Sequence, residues 1–154
     1  MDYNVVKWLH ILSSTVLFGT GLGSAYYMFF TSLSRQPAAT AIVVRHVVLA
    51  DWIFTTTTIV FQPASGLYMA HLAGIPLSTS WISWSFALYF LAGACWLPVV
   101  WLQIRMRRLA EAAAASGQPL PPAYFGMLKL WTALGVPAFL ALVVVFYLMV
   151  AKPS

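Results

Sequence analysis

Charge is what this sequence has least of. Asp, Glu, Lys and Arg make up 7% of its 154 residues, eight basic against three acidic. Ordinary soluble domains carry about 25% charged residues, so a fold of this size could not cover a water-facing surface with so few. Cysteine is nearly absent as well. Cys95 stands alone, which excludes an intrachain disulfide, a multi-cysteine metal centre and covalent haem attachment through CxxCH. What fills the chain is apolar: 62% hydrophobic residues and a mean hydropathy of +0.86. That composition describes an integral membrane protein in contact with the lipid bilayer. The +5 net charge is then a topology signal rather than a nucleic-acid footprint, and no nucleic acid is expected among its partners.

A helix needs about 20 apolar residues to cross a bilayer, and four segments qualify, roughly 3–33, 40–72, 80–110 and 122–151. No small-x-small cleavage site follows the first apolar run promptly, so it is expected to persist as a span. The separators SRQPAA (34–39), AGIPLSTS (73–80) and AEAAAASGQPLPP (110–122) carry turn chemistry or low complexity. The last of them reads as a flexible linker. The expected fold is all-α: a single domain over 1–154 with four transmembrane helices in an antiparallel bundle. Arg35 and Arg45 flank the first connection, Arg105, Arg107, Arg108 and Lys129 the third, and the second holds no charge. The positive-inside rule therefore places both basic connections in the cytoplasm and both termini outside it. Trp8, Trp81, Trp84 and Tyr147 would anchor the outer boundary; Tyr26, Tyr27, Trp101 and Tyr124 would anchor the inner one.

Ionisable groups within a span cost about 2.5–3.5 kcal/mol at the helix centre, so they face a partner, a cavity or a ligand. The candidates are Lys7, His10, Arg45, His46, Asp51, His71 and Lys129. Lys7 and Arg45 lie close enough to a boundary to snorkel. On the first span, Lys7, His10, Ser14, Leu17, Gly21, Ser24 and Met28 follow one helical face. The string GTGLGS (19–24) sits inside a span with no preceding strand, so it reads as a packing surface and not as a nucleotide loop. On the second span, His46 and His71 are 25 positions apart and return to within about 20° of one face in a straight helix. A second polar stripe there joins Asp51, Thr55, Thr58, Gln62 and Ser65. His10 and His71 fall toward the outer side; His46, Asp51 and Lys129 fall toward the inner side, where Asp51 and Lys129 form a candidate ion pair or proton-handling pair.

Imidazole is a strong ligand for iron, copper and zinc, and bundle interiors bring such ligands together. A b-type haem with one or two axial histidines fits the residues available. Zinc lacks its usual carboxylate or thiolate partners. Copper has Met69, His71 and His10 at similar depth, yet Met69 and His71 point about 160° apart. Histidines that only hydrogen-bond between helices are the structural alternative.

The stretches KWLHI (7–11), FGTGLGSAYYMF (18–29), RHVVLADWIF (45–54) and FQPASGLYMAH (61–71) resemble small bacterial four-helix membrane proteins known as domain of unknown function twenty-two sixty-nine. That family is distantly similar to the haem b-binding membrane protoporphyrinogen oxidase and to copper-resistance membrane proteins. In the oxidase, a histidine in a K-x-L-H context and a lysine of a later helix are essential. The resemblance implies the ligand role for His10, with Lys129 in KLW (129–131) as the candidate counterpart of the lysine. It also implies a bacterial inner membrane location. The resulting expectation is a haem b protein with an electron-transfer or oxidase-type role, His10 paired with His71, and His46 as a second ligand or inner-side proton group. Its partner would be a quinone, a porphyrin or a redox protein. One misfit stands: His71 lies roughly 9 Å nearer the outer surface than His10. The rival expectation is a non-enzymatic component, either a copper or ion conduit or a subunit of a larger membrane complex, with the Asp51 stripe lining a polar path.

Overall fold

The computed structural model describes residues 2–153. It is helical throughout its regular structure, with no strand among the described residues: α1 (Tyr3–Leu33), α2 (Pro37–Ala50), a π-helical turn (Asp51–Thr55), α3 (Thr56–Leu72), α4 (Ser80–Ser116) and α5 (Pro122–Ala151). Because α2, the π turn and α3 run on continuously, four helical rods are long and apolar enough to cross a membrane. The starts follow local chemistry. Asp2 caps α1 by accepting from the Asn4 amide, and prolines open α2 and α5, where a missing N–H costs nothing.

The third connection differs from the expected linker. Four successive alanines continue α4 as far as Ser116, because alanine is the best helix former and nothing there breaks the helix. The stop comes at Gly117, which adopts φ +63 as a left-handed cap. A Cβ added at this glycine would touch nothing within 4 Å, so Gly117→Ala should lose about 1 kcal/mol through backbone strain alone. Thermal melting in detergent would measure it. Ala110, Ala113 and Leu120 anchor the segment in the core, while residues 115–119 are exposed.

The rods pack as a bundle in which α4 with α5 is the broadest interface, followed by α2 with α4 and α1 with α3. Phe18 links α1 to α5 through Phe139 and Phe146, with ring centroids 5.0 and 5.3 Å apart. The apolar core is concentrated at the end that carries the two basic connections. Met28, Val44, Leu102, Met106, Tyr124 and Leu128 meet there. Tyr124 is a correction to the expected boundary anchor: it is fully buried, and its hydroxyl lies 2.7 Å from Ser32 Oγ. The remaining anchors fit their role better. Trp8, Trp84, Tyr26, Tyr27 and Trp101 are exposed, and Arg105 stacks on Trp101 at 4.8 Å.

Three prolines sit inside rods: Pro63, Pro98 and Pro137. Pro63 has no N–H to give the carbonyl four residues back. That carbonyl, Ile59 O, accepts instead from the Tyr89 hydroxyl of α4 at 2.7 Å. In lipid an unpaired carbonyl is costly, and a neighbouring helix satisfies it.

Candidate functional site

The buried stripe of the second rod is Asp51, Thr55, Thr58, Gln62 and Ser65, each under a tenth exposed. Most of its hydroxyls turn back onto their own helix. Thr58 donates to Phe54 O, and Ser65 donates to Phe61 O at 2.7 Å. Three members reach across to other helices, Gln62 and Ser65 at one site and Asp51 at another.

The first site is built around His10. The Gln62 amide donates to the His10 backbone carbonyl at 2.9 Å, and His10 Nδ1 lies 2.7 Å from Ser65 Oγ. Ser65 has one proton, which goes to Phe61 O, so Ser65 accepts and His10 Nδ1 donates. This assigns the tautomer: the Nε2 atom keeps its lone pair. Gly66 stands against the ring, its missing Cβ 3.6 Å from His10 Cε1. One turn further along the same face, the buried Ser13 hydroxyl has no hydrogen-bond partner. An oriented imidazole beside an orphaned buried hydroxyl is what a site for a coordinated group requires. The buried face of α1 is thus Val6, Leu17, Met28 and Ser32, with half-buried His10 and Ser13 between. Lys7, expected on that face, is exposed.

The second site surrounds Asp51. Thr55 Oγ1 donates to its carboxylate at 2.8 Å, and the Gln103 side chain bonds it from α4. The buried Gln103 Oε1 has no partner, nor does the Trp96 indole N–H. A cavity of about 330 Å³ lies beside them, lined by Asp51, Trp52, Trp96 and Trp101 among others.

The other expected residues are elsewhere. His46 and His71 are exposed. The π turn absorbs one extra residue and shifts the phase of the second rod by about 100°, so the two histidines do not share a face. His71 stands five residues beyond Gly66, about 7.5 Å further along α3 than the His10 ring. Asp51 and Lys129 do not pair. Lys129 is exposed and lines a groove between α1 and α5, and the ion pair found among the described residues is Arg107 with Glu111 at 3.3 Å. No group of three or more His, Cys, Asp or Glu side chains that could hold a metal ion occurs among the described residues.

Sequence reasoning placed Gln62 and Ser65 on the polar stripe without joining them to His10. A signal was present. His10 lies seven residues from the start of α1 and Ser65 seven from the end of α3, which puts them at equal depth in antiparallel neighbours. Gln103 carried no comparable mark.

Compared with known protein families, residues 4–153 match the one described as Predicted integral membrane protein (DUF2269). Neither the curated proteins nor the solved structures contain a match to the chain.

Proposed function

The chain belongs to the DUF2269 family of predicted integral membrane proteins, and from that premise we propose that it is a haem b-binding protein of the bacterial inner membrane, with both termini outside the cytoplasm, serving an electron-transfer or oxidase-type reaction. The observation that carries this reading is the His10–Ser65 hydrogen bond, which leaves His10 Nε2 as a neutral donor. The donor set offers one imidazole to a haem. His10 Nε2 would bind the iron; Ser65 holds the ring in the ligating tautomer; Gln62 ties the α1 backbone to α3 so that the ring keeps its height. His71 and His46, being exposed and out of register, are not partners in this arrangement. When bound, a haem brings one-electron chemistry that no side chain here offers. Copper is the lesser ligand, because no group of three or more His, Cys, Asp or Glu side chains that could hold a metal ion occurs among the described residues.

The test is an absorption spectrum of detergent-purified protein made with haem available. A Soret band that co-elutes with folded protein near one haem per chain is expected. Colourless folded protein would overturn the reading.

A second reading, a non-enzymatic ion conduit or subunit of a larger membrane complex, draws on Asp51 and its unpartnered neighbour Gln103 Oε1. It has less support. The stripe threonines are already bonded within their own helix, Thr55 to the Asp51 carboxylate and Thr58 to Phe54 O, and such hydroxyls do not offer themselves to a passing ion. Cation flux into proteoliposomes that is lost in Asp51→Asn would favour it over the haem reading.

A further inference from the structure

All three acidic residues of the chain are engaged away from Arg35 and Lys129. Asp2 caps α1, Asp51 lies inside the bundle with Thr55 and Gln103, and Glu111 pairs with Arg107. Arg35 and Lys129 nevertheless sit together. The Arg35 guanidinium lies over the Phe125 ring, 5.2 Å from its centroid, and Lys129 follows Phe125 by four residues, one turn along the same face of α5. Both cations line a groove of about 870 Å³ between the end of α1 and the start of α5. Its other walls are apolar apart from Thr132, with Phe29, Leu33 and Leu128 among them. Arg35 also adopts φ +57, a left-handed conformation that glycine would take without steric cost.

We propose that this groove binds an anionic phospholipid, its phosphate between Arg35 and Lys129 and an acyl chain along the apolar walls. Two like charges brought together with no carboxylate to answer them require an anion from outside the chain. The groove opens at the end of the rods where headgroups lie, and basic pockets between transmembrane helices suit such lipids. A soluble anion would match the charges and leave Phe29, Leu33 and Leu128 without an occupant; a neutral lipid would match the walls alone. The site is independent of the His10 pocket, which is near the opposite end of the bundle.

The test uses the full chain in mixed micelles containing dioleoyl phosphatidylglycerol or dioleoyl phosphatidylcholine, with retained lipid counted by native mass spectrometry. Phosphatidylglycerol should be held preferentially, and an excess of inorganic phosphate should not displace it. Each charge removed should weaken retention about fivefold, and the pair Arg35→Gln with Lys129→Gln about thirtyfold. Ala133→Trp, which narrows the groove with both charges kept, should also release the lipid. Arg35→Gly guards against misfolding as an explanation, since it relieves the backbone and should lose lipid without losing stability. Equal retention of the two lipids, or undiminished retention in the double variant, would overturn the proposal. Displacement by inorganic phosphate would overturn its lipid part and leave a site for a soluble anion.

Discussion

His10→Ala is expected to bring haem content from near one per chain to less than a tenth, with the bundle still folded. On the proposed reading the His10 ring is the haem ligand, so its loss would remove that ligand outright. The fold should tolerate the change because the side chain is half-buried and makes a single cross-helix hydrogen bond, worth about 0.6 kcal/mol on average in a membrane protein. The Gln62 bond to the His10 carbonyl involves backbone and survives the substitution. Pyridine haemochrome assay reads the haem, and circular dichroism reads the fold. His46→Ala and His71→Ala should leave the spectrum unchanged, since both rings face away from the pocket. Ser65→Ala should retain haem with about 10–100-fold weaker binding, the usual cost of removing the group that orients a ligating imidazole. An unaltered spectrum in His10→Ala would reject the ligand assignment even if the protein is coloured.

Tyr124→Ala should be the most destabilising single change in the bundle, by about 3 kcal/mol. Tyr124 is fully buried in the one dense apolar cluster, where α1, α2, α4 and α5 converge. In lipid, helices gain little from burying apolar surface, so packing contacts and interhelical hydrogen bonds hold them together. Truncating this ring removes both at once, and Ser32 then keeps only its bond to Met28 O. Tyr124→Phe isolates the hydroxyl and should cost about 0.6 kcal/mol. Unfolding in mixed micelles with rising dodecyl sulfate content would measure each variant. Equal stability of Tyr124→Ala and the parent would mean that the core lies elsewhere.

Haem should therefore respond to one end of the molecule and stability to the other. Near His10 the bundle interior joins buried Val6 and Leu17 to glutamine and serine, and α1 meets α3 through hydrogen bonds. Near Tyr124 it is made of methionine, valine, leucine and aromatic rings. Filling the His10 end with larger apolar side chains would strengthen the packing at the expense of the pocket.

Much of this was legible beforehand. Tyr3–Leu33 and Pro122–Ala151 coincide with spans set by hydropathy and turn residues. The buried stripe from Asp51 to Ser65 followed from three-and-four spacing, since a helix with neighbours turns its polar residues toward them. Low complexity predicts a flexible segment after residue 110, but alanine repeats favour helix and α4 runs on to Ser116. The His46–His71 register failed at the π turn, which nothing in the Asp51–Thr55 side chains announces. Asp51 and Lys129 do not pair because shared depth does not fix azimuth: Lys129 lines the groove between α1 and α5.

Composition and periodicity by themselves determined that the chain is membrane-bound, that it crosses in four rods, and which residues on the second rod turn inward. Those properties depend on the solvent each residue meets and on position along one axis. The tertiary structure alone decided that His10 answers Ser65, that Asp51 answers Gln103, and that Arg35 and Lys129 stand together unanswered. Contacts between rods depend on their rotation about their axes, and one inserted residue or one displaced carbonyl resets that rotation for every side chain beyond it.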